Sequence, residues 1–174
     1  MNPYYSHQEY LKEELNKVPK NAICLEFGPG EGSSSVFSEF ALKNPQSKIA
    51  AFDNKYEWHT SMSSKYKTEN YSFSFVSDWN DYLSRKEFND IYDLIFVDQS
   101  PWEARIQTIK RFKVRGKVFI LHDYDFYNKG VYDKDIFSVG EGTFFYKHFN
   151  DDFVMEPHFG ILPPTLVLRN KKSL

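Results

Sequence analysis

Three glycines, Gly28, Gly30 and Gly32, stand at alternate positions just behind the acidic residue Glu26. Glycine takes positive φ freely and lets a ligand approach where a Cβ would collide, so a turn with this spacing reads as a nucleotide cradle. Single residues exclude two well-known cradles. A dinucleotide fingerprint counted from Gly28 needs its third glycine where this chain has Ser33, and a P-loop needs a lysine that the turn lacks. Other reactive groups follow at intervals: Asp53 with Asn54, Asp78 with Trp79, Asp98, and His122 with Asp123. Carboxylates bind hydroxyls through charge-assisted hydrogen bonds, and an imidazole titrates near neutrality and can move protons.

Each of these groups stands at the end of an apolar run. Residues 23–27 form a run short enough for a buried strand, and a segment of helical periodicity follows over 33–43, closed by Asn44-Pro45. A second strand over 48–53 ends in Asp53, which lies 21 residues after Gly32, where a second parallel strand delivers an acid to a ribose. A helix over 56–66 leads to an alternating strand over 71–76 that ends at Ser77-Asp78-Trp79, and Asp78 also suits the cap of a helix over 79–88. Strand 91–98, helix 103–113 and strand 117–122 then carry Asp98 and His122 to the carboxyl edge of the sheet, where open α/β folds bind ligands. Upstream, residues 6–18 place Tyr10, Leu11, Leu15 and Val18 on one side of an amphipathic helix, with Ser6 as its cap and Pro19 as its stop. Residues 126–150 lose periodicity and read as an insertion, and strands over 153–156 and 164–169 close the chain. Strands alternating with helices make this an α/β protein.

Composition bounds the function. The 174 residues suffice for a single domain (1–174, with 1–19 as a helical leader), and 41% hydrophobic and 18% aromatic residues supply a core. A net charge of −2 gives no broad electrostatic footprint for nucleic acid. The lone Cys24 lies in the first strand, which rules out a disulfide framework or thiolate cluster. No apolar window of membrane-spanning length and no basic-then-apolar start is present, so the expectation is a cytoplasmic protein without a membrane partner.

The pattern acidic-x-Gly-x-Gly-x-Gly directly after a strand resembles motif I of the class I S-adenosylmethionine-dependent methyltransferases, and the likeness covers roughly residues 20–170. It implies a three-layer sandwich with a mostly parallel seven-stranded sheet whose last strand is antiparallel. It also implies S-adenosylmethionine as the cofactor, with Glu26 near its amino-acid moiety, the turn of Gly28, Pro29, Gly30, Gly32 and Ser34 beneath it, and Asp53 and Asn54 at the ribose. Asp78 and Trp79 would meet the adenine, and Asp98 would border the site. In such proteins the leader often covers the opening, which brings Tyr4, Tyr5 and His7 into view. The stretch from Val97 to Arg105 together with Leu121-His122-Asp123 is similar to small bacterial enzymes that methylate hydroxyls of sugars or other small metabolites.

For a hydroxyl acceptor the resemblance makes His122 the general base, with Asp98 or Asp123 orienting the ring. A competing version resembles catechol-type O-methyltransferases, in which Asp98 and Asp123, with Asp125 as a third ligand, would hold Mg²⁺. The Asp123-Tyr124 pair stands where those enzymes have Asp-Asn, and the metal-free base is the favoured reading. The Asn/Asp-Pro-Pro-Tyr/Phe signature of amine methyltransferases is absent, replaced by Asp98-Gln99-Ser100-Pro101-Trp102, and nucleic acid is an unlikely partner. Trp102 remains available to stack on a planar acceptor, and Arg105 is either a clamp for an anionic acceptor or an exposed helix residue. Two other readings stay open: a non-catalytic subunit or cofactor sensor on this fold, and an N-methyltransferase or aminopropyltransferase.

Overall fold

The computed structural model describes residues 5–85, 88–124, 148–161 and 163–173; Tyr4, Asp125 and most of the expected insertion lie outside them. In chain order the elements are α1 (Gln8–Leu15), β1 (Ile23–Phe27), α2 (Glu31–Lys43), β2 (Lys48–Asp53), α3 (Tyr56–Tyr66), β3 (Tyr71–Phe75), α4 (Trp79–Ser84), β4 (Tyr92–Val97), α5 (Trp102–Phe112), β5 (Gly116–His122), β6 (Phe153–His158) and β7 (Thr165–Asn170). The strands form one seven-stranded sheet in the order β3-β2-β1-β4-β5-β7-β6. The pairs from β3 to β5 are parallel, and β7 runs antiparallel to both neighbours. The expected α/β sandwich with an antiparallel last strand is therefore what the chain forms.

Parallel strands covered on both faces are apolar throughout, and β4, Tyr-Asp-Leu-Ile-Phe-Val, is buried at every position. Because side chains alternate, Leu25, Phe27, Ile95, Phe119 and Leu121 enter one core with residues of α4 and α5, while Cys24, Ile49, Phe96 and Ile120 enter another with α1 and α2. These two cores make the three layers. Parity also places Glu26, Asp98 and His122 on the α1–α2 face. No helix among the described residues is long and apolar enough to cross a membrane.

Several boundaries shift. The leader helix spans Gln8–Leu15 rather than 6–18, and Ser6 does not cap it: His7 holds that position without a side-chain capping bond. The Ser6 hydroxyl is instead committed to a long-range contact with His122. Helix α4 stops at Ser84, short of 88, because Arg85 turns to extended backbone and Phe88 packs into the core. Helix α2 begins two residues early, since extended Gly30 serves as its N-cap and Ser33 Oγ accepts from the Gly30 amide at 3.3 Å.

Helix α1 is firmly docked. Leu11 and Leu15 are buried in the second core. Arg169 on β7 donates to both oxygens of buried Glu14 and also to Glu156, its Nη2 reaching Glu14 Oε1 at 2.9 Å. Burial pushes the Glu14 carboxyl up, but hydrogen bonds from Arg169 and Lys17 outweigh it and hold the group below its ordinary value.

Candidate active site

The chain leaves β1 for β2 and β3 on one side and returns to β4 on the other, so the strand order reverses at β1. Such a switch point opens a crevice at the carboxyl ends of the strands. A cavity of about 540 Å³ lies there, lined by the turns after β1, β2 and β4, by His122 at the end of β5, and by Tyr5 and His7 ahead of α1. Its size suits a cofactor-sized ligand.

The glycine turn sits tightly against β4. Gly28 has φ +80°, and a Cβ there would lie 2.5 Å from the Gln99 amide nitrogen and 2.6 Å from the Asp98 carbonyl carbon. Only glycine combines that backbone with that approach. Pro29, Gly30, Gly32 and Ser33 continue along the wall into the first turn of α2. Asp53 and Asn54 face them from the end of β2, and the Lys55 amide donates to Asp53 Oδ1 at 2.6 Å. Burial raises the Asp53 carboxyl against the opposing pull of that amide. Trp58 on α3 closes this end, its indole N–H donating to the Pro29 carbonyl.

Four of the expected cofactor residues do not line the cavity. Glu26 is fully buried beneath α2, where the Tyr71 hydroxyl donates to Oε2 and Ser34 Oγ lies 3.1 Å from Oε1. Burial pushes its carboxyl up to about 7, although hydrogen bonds from Ser33, Tyr71 and Ser34 pull the other way. Glu26 and Ser34 thus form the floor under the turn rather than its surface. Asp78 caps α4, accepting from the Asp81 amide at 2.8 Å, and buried Trp79 donates from Nε1 to the Ser100 carbonyl at 2.8 Å.

At the opposite end, Asp98 Oδ2 lies 3.0 Å from His122 Nδ1, and Ser6 Oγ lies 2.9 Å from His122 Nε2 and 2.8 Å from the Pro163 carbonyl. Register explains the first contact, since Val97 pairs with Leu121 and the next residues on each strand stand side by side. Arg105 is neither exposed nor free to clamp a ligand. It is buried, paired with Asp98 Oδ1 at 3.0 Å, and it donates to the carbonyls of Asp98, Gln99, His122 and Asp123, tying the ends of β4 and β5 together. Trp102 is also buried in the core, out of reach of an acceptor. His7 packs edge-on against His122 with ring centroids 4.4 Å apart, and burial, followed by the neighbouring His122, lowers its imidazole to about 3, with Asp98 opposing.

Among the described residues, which leave out Asp125, the Mg²⁺ arrangement is not assembled. Both Asp98 oxygens are engaged by Arg105 and His122, and Asp123, at φ +53°, does not line the cavity. Among the described residues no group of three or more His, Cys, Asp or Glu could hold a metal ion. S-adenosylmethionine fits better: the cavity offers a carboxylate at one end, the amide-rich start of a helix along its wall and unpartnered His7 nitrogens at the other end.

Sequence reasoning missed Trp58, Gln99 and the structural role of Arg105. Trp58 carried a signal, as the aromatic residue on the helix just past Asp53; for Arg105 nothing in the local sequence separates a buried anchor from an exposed helix residue.

No family model matches this sequence, and no curated protein matches it significantly. Solved structures do resemble it. A provisionally assigned rRNA methylase from Clostridium thermocellum has a TM-score of 0.64 at 13% identity, with 98% of each chain covered. A provisionally assigned caffeoyl-CoA O-methyltransferase from Staphylococcus aureus has a TM-score of 0.65 at 11% identity, covering 94% of this chain and 82% of its own. Human methyltransferase-like protein 13, solved with S-adenosylhomocysteine, has a TM-score of 0.60 at 16% identity, covering 100% of this chain and 86% of its own. The seven-stranded sheet with its antiparallel end and its cavity at the strand reversal is the α/β fold that these methyltransferases share with this chain.

Proposed function

We propose that this protein transfers a methyl group from S-adenosylmethionine to a hydroxyl of a small molecule or glycan, with His122 as general base and Asp98 as its orienting partner. The observation that carries this reading is the 3.0 Å contact of His122 with Asp98 in the same cavity as the glycine turn. The cofactor, when bound, supplies an activated methyl group for in-line displacement. The chain's own residues hold the reactants in line and take the acceptor's proton.

With Nδ1–H donated to Asp98, Nε2 is the basic nitrogen, and it is the one Ser6 reaches. The acceptor hydroxyl takes that place by displacing the Ser6 hydroxyl, whose hydrogen then turns to the Pro163 carbonyl 2.8 Å away. Arg105, paired with Asp98 Oδ1 at 3.0 Å, holds that carboxylate in place, while Asp53 receives the ribose hydroxyls and Asn54 lies beside it. Calorimetric titration with S-adenosylmethionine and S-adenosylhomocysteine, with and without Mg²⁺, tests the cofactor, and micromolar binding indifferent to Mg²⁺ is expected. A screen of sugars and small hydroxylated metabolites then tests the acceptor. A folded protein that binds neither cofactor form would move the reading to an interaction subunit built on this fold.

A further inference from the structure

His7 is 3% exposed, lines the cavity, and has no hydrogen-bond partner at either Nδ1 or Nε2. Burying two unpaired polar atoms is unfavourable unless a ligand satisfies them, and a neutral imidazole offers one N–H donor and one acceptor. The ring is held in place: it packs 4.9 Å from Phe96 and 4.4 Å from His122, and α1 behind it is docked by Leu11, Leu15 and the Glu14–Arg169 pair. Next to it, Gln8 Nε2 donates to the Gly32 carbonyl at 2.8 Å and to Ser35 Oγ at 3.3 Å, which sets the start of α1 against the first turn of α2. That turn belongs to a helix of 13 residues whose own hydrogen-bond ladder begins with the Ser34 amide, so the amides of residues 31–33 face outward with the positive end of the dipole. At the same end of the cavity stands the Asp98 carboxylate, 3.0 Å from the His122 ring against which His7 packs. Donors beside a carboxylate match the polarity of a zwitterionic α-amino acid.

We infer that His7 and the first turn of α2 receive the carboxylate of the cofactor's amino-acid tail, with its ammonium toward Asp98. This rests on the proposed S-adenosylmethionine reading and names a residue for one part of the ligand. The N–H of His7 donates to the carboxylate, and the α2 amides share its charge.

The test compares two probes, S-adenosylhomocysteine and 5′-methylthioadenosine, which keeps the nucleoside and lacks the amino-acid tail. Wild type is expected to bind the first more tightly. His7→Phe, which keeps an aromatic ring between Phe96 and His122, is expected to weaken S-adenosylhomocysteine binding about tenfold or more while leaving 5′-methylthioadenosine binding unchanged. Equal losses for both probes, or no loss for either, would overturn the inference. Wild type binding both probes equally would also overturn it while leaving the nucleoside pocket standing, whereas wild type binding neither would remove the cofactor reading itself. Imidazole ¹⁵N shifts in the wild-type protein provide the same answer without a variant: His7 must respond to S-adenosylhomocysteine and not to 5′-methylthioadenosine.

Discussion

The glycine-turn end of the cavity and the His122 end are built in opposite ways. At the first, Gly28 through Ser33 follow β1 without a break, and Asp53 and Asn54 join from the adjacent strand. At the second, Ser6 and His7 come from ahead of the sheet, Asp98 from β4's edge, His122 from β5, and the Pro163 carbonyl from just before β7. One end is a local turn that needs only a neighbouring strand; the other exists only when α1 is docked and the sheet is closed. A local turn is damaged by altering its backbone, whereas the assembled end loses chemistry when one side chain goes.

Four probes test this contrast, from the largest effect down. Gly28→Ala should destabilise by about 3 kcal/mol or more, since a left-handed backbone and a 2.5 Å clash with the Gln99 amide combine. Denaturant unfolding would show this as a lower midpoint, and a fully stable variant would mean that the fit of the turn against β4 is not what sets this end.

His122→Ala should lower turnover by about 100-fold, or about 2.7 kcal/mol in the barrier, while leaving the S-adenosylhomocysteine dissociation constant unchanged. Single-turnover rates and calorimetry on the same sample separate the two readouts. Full activity would leave proximity alone as the catalyst.

The next probe uses pH, because each end holds one strongly displaced titration. The Glu26 carboxyl is raised by burial from 4.5 to about 7, so the native state binds the extra proton and stability falls as pH rises through that window. The His7 imidazole is lowered by burial from 6.5 to about 3, so the native state binds fewer protons and stability rises with pH across that window. Over the two pH units where the windows overlap, each contributes roughly 2 kcal/mol with opposite sign, and the wild-type curve stays nearly flat on their account. Glu26→Gln should expose the rising limb and His7→Phe the falling one in denaturant melts taken across that range. Parallel curves for all three proteins would show that neither group is displaced as described.

Asp53→Ala should weaken S-adenosylmethionine binding by about tenfold, or about 1.4 kcal/mol, with the fold intact. An unchanged dissociation constant would remove Asp53 from the ribose.

Legibility followed the same division. The strand–turn–helix around Gly28 and the strand carrying Asp53 were readable because their signals are local: an apolar run, spaced glycines, a carboxylate at a strand end. Asp78 caps α4, as its place before that helix suggests, and Trp79 anchors the Ser100 carbonyl; neither lines the cavity, which local sequence could not show. Arg105 illustrates the harder case. Its place one turn into α5 is compatible with exposure, and only the approach of the β4 and β5 ends turned it inward onto four carbonyls.

By itself, then, the sequence determined the order of elements, the two-faced burial of the parallel strands and the glycine turn, because periodicity and backbone freedom act within a few residues. The tertiary structure decided which side chains meet: that Ser6 lies on His122 rather than on its own helix, that Glu26 forms a buried floor, and that His7 faces the cavity without a partner. The reason is physical. Strand register and helix docking bring together groups separated by as many as 157 positions, and no local propensity carries information over that distance.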